Sequence, residues 1–381
     1  MVLLYGAIVR SAQHTSRAEE CPERTEFTGM AEYTGVIHVH SSYSQDSEAS
    51  VELIARAARR AGVDFVVISD HNTLGALREE GWHGNVLILA GEEVGLPRSN
   101  HYLALGITEE VPPGAPREVI QAVLAQGGFG FLAHPFFEGN KRLGLPACLW
   151  EDWDADGYTG LSLFDYSTDA ASRLGLLTYL IFTAFPWLDV DRPRPKTLEK
   201  WNELLETRRP VAIGTVDAHL QYVRLGPIRV PVHPFQSFFR FVRTHIVTED
   251  SLNGELTHDK KLVYRALQHG SCFVANEYVG SARGFSVRVR CGDKCATMGQ
   301  EIALEGGGRR GVLEVCSPIP AELRLLLDGR EVSSASGTSL TYAVSVPGVY
   351  RVEAFRRHCL RLKPWVYTNP VYVVDPQGRR P

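Results

Sequence analysis

The sequence predicts an α/β protein followed by an all-β unit, and three observations carry that expectation. Between about Gly35 and Asn276 short apolar runs alternate with amphipathic stretches. Those runs are rich in Val, Ile and Leu with little alternation, as strands of a parallel sheet buried on both faces are. Beyond Ser281 the pattern changes to short alternating segments separated by Gly, Pro and Ser, which fits an antiparallel β-sandwich of about 100 residues.

The elements follow in order. "GVIHVH" from Gly35 is the first strand. Val51, Ile54, Ala55, Ala58 and Ala61 recur at helical spacing, with Glu52 near the start and Gly62 at the end. "DFVVISDH", "NVLILAGEEV" and "HYLALG" are three further strands. "REVIQAVLAQGG" is a helix stopped at Gly127-Gly128, and "FGFLAHP" is the next strand. "TGLSLFDYS", a helical "TLEKWNELLETRR" and "PVAIGTVDAH" complete the series. An open doubly wound sheet and a closed barrel both fit this order. The tail reads "FSVRVRC", "GVLEVCS", "ELRLLLDGREV", "LTYAVSV" and "GVYRVEAFRR", with a hairpin signal at Asp328-Gly329. The expected division is an extension over 1–34, a first domain over 35–280 and a β-sandwich over 281–381.

Bulk properties narrow the function classes. The 381 residues carry a formal net charge of -4, with 44% hydrophobic and 22% charged residues. This is the balance of a globular protein. It lacks the basic field that a general grip on nucleic acid needs. A small phosphorylated substrate remains open, because a metal ion supplies positive charge locally. The seven cysteines are scattered and odd in number, so they are expected to be reduced rather than a disulfide framework. Cys291 and Cys295 are the one close pair, without a second pair at zinc-finger spacing. "MVLLYGAIVRSAQ" has no basic residue ahead of its apolar run and makes a poor signal peptide, so a cytoplasmic location is expected. The apolar run from Leu174 to Leu188 is shorter than the ~20 residues that span a bilayer, and is expected to be a buried helix or pocket wall.

The polar residues sit where the strands end. His38 and His40 end the first run, Asp70 and His71 the second, and Glu92 and Glu93 the third. His134 follows "GFLA", and Asp217 and His219 follow "VAIGT". His101 stands at a strand start instead. Ligands of α/β folds gather at the carboxyl ends of the strands. His38 and His40, two apart on a strand, should face one side. Singly, each is an ordinary polar residue, a helix cap or a turn. Together, converging imidazoles and carboxylates would repel and be costly to bury unless a cation binds them. Mixed N and O donors suit zinc, manganese or iron.

This set resembles the PHP (polymerase and histidinol phosphatase) family. Its pattern appears in order as His38-Val39-His40, Asp46, Ser69-Asp70-His71, Gly91-Glu92-Glu93, His101, His134-Pro135 and Asp217-Ala218-His219. "GEEV", "HYLALG", "FRFVRTHIV" and the β-rich tail look like the CehA/McbA-type branch. The resemblance implies a distorted (β/α)7 barrel ahead of the β-sandwich, with two or three divalent metal ions. It implies His38, His40, Asp46, His71, Glu93, His101, His134, Asp217 and His219 as ligands, Glu92 competing with Glu93. Asp46 stands where a histidine is frequent, which bears on whether a third metal binds. Asp70 and His71 are expected to assist catalysis, Asp70 by orienting or accepting a water proton. Arg243 and His245, with Arg209, are candidates to bind phosphate.

The implied activity is hydrolysis of a small phosphate ester by a metal-bridging hydroxide. The same centre could attack a carboxyl or carbamate ester. A non-catalytic, metal-stabilised scaffold is the remaining reading; it predicts lost ligands, whereas every motif position is occupied here.

Overall fold

A computed structural model of the chain describes residues 30–172, 192–225, 228–231, 235–305, 310–358 and 360–378. The extension before Met30 and the apolar run from Leu174 to Leu188 lie outside them. The described chain is a mixed α/β protein with one large sheet network and few helices. No described helix is long and apolar enough to cross a membrane.

The first strand, β1 (Ala31–Val39), leads to helix α1 (Val51–Ala61) and strand β2 (Phe65–His71). The ends of α1 are set by sequence. The Ser50 side chain accepts from Leu53 N, and Gly62 closes the helix in the left-handed conformation at φ 69°. Strands β3 (Val86–Leu96) and β4 (Ser99–Leu105), helix α2 (Pro116–Ala125) and strand β5 (Phe129–Leu132) follow. Two short strands come next, β6 (Phe136–Phe137) and β7 (Cys148–Leu149), then β8 (Gly160–Asp165), helix α3 (Pro195–Thr207) and strand β9 (Val211–Thr215).

Pairing runs β1–β2–β3 in parallel, then β3–β4 and β4–β5 antiparallel, then β5–β8 and β8–β9 in parallel. The expected all-parallel order is therefore broken at β4. Only Pro97 and Arg98 separate β3 from β4, and a parallel crossover needs a dozen residues or more. Past β9 the backbone returns to β1, with Val216 N donating to Ile37 O (3.0 Å), Ala218 N to His38 O (3.2 Å) and His40 N to Ala218 O (3.0 Å).

Both faces of these strands are buried. Ile37, Val67, Leu87, Leu89, Leu103 and Ile213 pack in one core with helix α4 (Leu256–His269). Val36, Val66, Ile68, Ile88, Ala90 and Ala104 face the opposite way, into a second core with α1, α2 and α3. Burying either face is the dominant stabilising contribution, at roughly 1.5–3 kcal/mol per large apolar side chain.

Strand β10 (Val242–Thr248) pairs antiparallel with β1 and with β11 (Cys272–Asn276). The C-terminal region contains β12 (Ser286–Cys291), β13 (Gly311–Leu327), β14 (Arg330–Val344), β15 (Gly348–His358), β16 (Arg361–Thr368) and β17 (Val371–Val374). It has its own core around Phe285, Leu323, Leu325, Tyr350 and Trp365. β11 pairs with β16, so both regions share one hydrogen-bonded network. Asp328 and Gly329 turn β13 into β14 with φ of 49° and 76°. Positive φ at both residues is what a two-residue hairpin of this hand requires. Cys316 is disulfide-bonded, which corrects the expectation of a reduced thiol at that position, while Cys148 and Cys272 are free thiols as expected. Cys291 and Cys295 are free thiols on a hairpin.

Candidate metal centre

The His38-x-His40 and Asp217-x-His219 segments lie side by side because the three backbone hydrogen bonds between the end of β1 and the residues just after β9 zip them together. Simple strand alternation does not apply here. His38 has φ 71°, the β1–β2 register shifts between Ile37 and Val39, and His40 lies beyond the strand end. His134 (φ 29°) and Asp217 (φ 46°) are also left-handed. Each such non-glycine residue costs of order 1–3 kcal/mol and persists where the surroundings dictate it. The antiparallel β4 explains His101. Its start lies at the same end of the sheet as the C-termini of its parallel neighbours, so a strand-start histidine joins strand-end ones.

All nine residues of the motif set come together. His38 Nε2 and His40 Nε2 lie 3.1 and 3.3 Å from Glu93 Oε2, and 3.4 and 3.3 Å from Asp217 Oδ1. His71 Nε2 and His219 Nε2 lie 3.2 and 3.1 Å from Asp46 Oδ2. His71 Nδ1 is 3.0 Å from Glu93 Oε2. Glu93 Oε1 meets His101 Nδ1 at 2.8 Å and His134 Nε2 at 3.1 Å. Glu93 is thus the hub. Glu92 points away, accepts a hydrogen bond from Val111 N, and burial pushes its carboxyl up to about 7.

The donors group into sets able to hold an ion: His38, His40, Glu93 and Asp217; His40, Asp46, His71 and His219; His71, Glu93 and His101; and His101, His134 and Cys148. The fit to metal is supported by orphaned atoms. Asp46 Oδ1 and His134 Nδ1 are buried without a hydrogen-bond partner, and His38 Nε2, His40 Nε2 and Glu93 Oε2 meet at ion-pair distance without hydrogen-bond geometry. Buried polar atoms without partners are costly, and these converge on shared space.

Within the cluster the charges compensate one another. Burial pushes the Glu93 and Asp217 carboxyls up, but the facing imidazoles, His38 foremost, override it and hold both well below the usual range. Asp46 is likewise opposed by burial and held low by His219 and His71. Burial pulls His101 and His219 down, yet Glu93 and Asp217 raise them to about 10 and about 9.

Supporting groups hold the candidate donors in place. Asp70 accepts from Ser41 N and Ser41 Oγ, each at 2.7 Å, beside His40. One bond on each oxygen anchors the carboxylate and leaves each oxygen a further lone pair. Asp165 Oδ2 lies 3.8 Å from His38 Nδ1 and accepts from Thr215 Oγ1 at 2.6 Å. Gly95 lets the His101 ring approach, since a Cβ there would lie 2.3 Å from it.

The phosphate-binding candidates are not brought to the cluster. Arg243 donates to Phe239 O and Ala61 O. His245 is buried between Glu32 and Glu277 and stacks on Phe273. It pairs in register with Thr34, far up β1 from His38. Arg209 pairs with Glu301 and covers the Tyr372 ring. Each spends its charge on the fold, which a basic residue in an apolar run does not reveal. The residues missed were Cys148, Asp165, Ser41 and Gly95. Asp165 ends a strand as the ligands do, so that signal was available.

No family model matches the chain. An uncharacterized protein of Methanocaldococcus jannaschii is 28% identical over 122 residues, spanning 28% of this chain and 71% of that protein. A solved structure from Bifidobacterium adolescentis, provisionally assigned as a metal-dependent phosphoesterase, matches at 16% identity and a TM-score of 0.32, covering 49% of this chain and 87% of that one. A β-glucuronidase of Bacteroides uniformis matches at 11% identity and a TM-score of 0.21, over 90% of this chain and 46% of that one. These likenesses are too low to carry an argument about fold or activity, so the functional reading rests on the side-chain cluster.

Proposed function

We propose that the chain is a metal-dependent hydrolase of the PHP type, acting as a phosphoesterase on a small-molecule phosphate ester. The observation that carries this is Glu93, fully buried, with its two oxygens facing different groups of imidazoles. A carboxylate so placed suits two or three divalent ions, zinc, manganese or iron, rather than one. When bound, such ions lower the pKa of water toward neutrality and neutralise charge developing on phosphate oxygens.

The chain's own residues do the rest. His38, His40 and Glu93 form the buried floor, with Asp217 half-buried beside them. Asp46, His71 and His219 are the more exposed donors, at 38%, 31% and 21% side-chain exposure, so substrate enters from their side. Asp70 positions Ser41 and through it His40. In this reading β1 to β9 form the distorted (β/α)7 barrel within 35–280, and 281–381 form a β-sandwich behind it.

Ester or carbamate hydrolysis is the second reading. It is favoured by an apolar wall beside the cluster, where Phe137 lies edge-on to His134 at 6.3 Å and Phe136 stacks on Trp153 at 5.0 Å. A panel of phosphate mono- and diesters, carboxyl esters and carbamates, run on the metal-loaded protein, separates the two. Absence of any phosphate ester turnover, with metal bound, sinks the first.

A further inference from the structure

We propose that Cys148 is a thiolate ligand which, with His101 and His134, makes one edge of the cluster a zinc-preferring position. This rests on the reading that the cluster binds metal, and adds a sulfur donor that the motif set does not contain.

A local device brings Cys148 there. After His134 the chain runs out through β6 and returns through β7, with Phe137 opposite Cys148 and Ser99 opposite Leu149. Phe137 N donates to His134 O at 2.9 Å, and Trp150 N to Pro135 O at 2.9 Å. The β7 strand is thereby tied both to the residues beside His134 and to the start of β4, two residues from His101.

The donors then meet. One ligand atom each of His101, His134 and Cys148 lies within 4.8 Å of the others. Glu93 Oε1 lies 2.8 Å from His101 Nδ1 and 3.1 Å from His134 Nε2, so the set borders the hub carboxylate. His134 Nδ1 is buried without a partner, and Cys148 and His134 are each only 7% exposed. His101 Nε2 lies 3.1 Å from Leu96 O. A backbone carbonyl on one ring nitrogen fixes the tautomer and frees the other for a metal. Two nitrogens and one sulfur suit zinc, which takes three protein donors where its fourth position is left open. The other sets contain N and O donors alone, which accept harder ions.

The test uses the full chain, stripped by chelator and reloaded with Co(II) without oxygen. The wild type is expected to give visible d–d bands together with an intense near-ultraviolet thiolate-to-Co(II) charge-transfer band. Cys148→Ser should lose the charge-transfer band and keep d–d absorption. Cys295→Ser, which alters an exposed thiol, should keep both. Wild-type d–d bands without charge transfer, or a charge-transfer band that survives in Cys148→Ser, overturn the proposal while leaving the hydrolase reading intact. Absence of any Co(II) spectrum overturns both. If Cys148→Ser does not fold, X-ray absorption on the wild-type zinc protein decides: a Zn–S shell at about 2.3 Å supports the proposal and its absence refutes it.

Discussion

Glu93→Gln removes one charge from the middle of the cluster and preserves its shape. Glu93 Oε2 lies 3.1, 3.3 and 3.0 Å from His38, His40 and His71, and Oε1 lies 2.8 and 3.1 Å from His101 and His134. In the metal-free protein the substitution leaves buried imidazoles facing a neutral amide. Breaking a buried pair on one side costs about 3–5 kcal/mol. At roughly 2 °C per kcal/mol this lowers Tm by on the order of 6–10 °C. In the loaded protein an amide cannot bridge two cations, so metal content should fall to one ion per chain or none. Losing several kcal/mol of charge stabilisation at the transition state should lower turnover by about 10³-fold. Metal analysis by mass spectrometry, thermal unfolding with and without metal, and phosphate ester turnover read these outcomes. Wild-type metal content together with an unchanged Tm in Glu93→Gln would refute the hub role.

Gly95→Ala places a methyl group 2.3 Å from the His101 ring, so it should release metal from that edge while far-UV circular dichroism stays unchanged. Full metal retention would count against the close approach. The histidines set a pH dependence in the metal-free protein. His101 and His219 are raised to about 10 and about 9, so their stabilising contribution is complete below about 6.5 and is lost as pH rises through those values. For His219 alone this is on the order of 3 kcal/mol. Thermal scans from pH 7 to 10 should show Tm falling without metal and a flatter profile with it; a flat metal-free profile would contradict the assignment. Metal affinity should weaken as pH falls, because protons compete for the same imidazoles. Arg243→Ala should destabilise the protein by removing the donors to Phe239 O and Ala61 O, with KM for phosphate esters unchanged in the folded fraction. A rise in KM would return Arg243 to the site.

Much of the site was legible because its residues are chemically costly where they stand. His38, Asp217 and Glu93 end apolar runs, and so many polar endings in chain order signal a shared cluster. Their geometry was less legible. Strand alternation was the stated reason for pairing His38 with His40, whereas a left-handed His38 and a register shift set the actual arrangement. The antiparallel β4 was signalled by its two-residue connection to β3, yet its apolar "HYLALG" looks like any parallel strand. Cys148 was silent, since a lone cysteine in "LPACLW" carries no pattern until β6 and β7 fold back. Arg243 and His245 misled because a basic residue in an apolar run looks alike whether it binds phosphate or a buried glutamate.

The most direct measurement is the metal content of the purified protein, supplied with zinc, manganese and iron and then dialysed, beside that of Asp217→Ala. The wild type should retain at least two ions per chain, and Asp217→Ala fewer, because Asp217 Oδ1 faces both His38 and His40. Fewer than two ions in the folded wild type would contradict the shared metal centre and the hydrolase built on it.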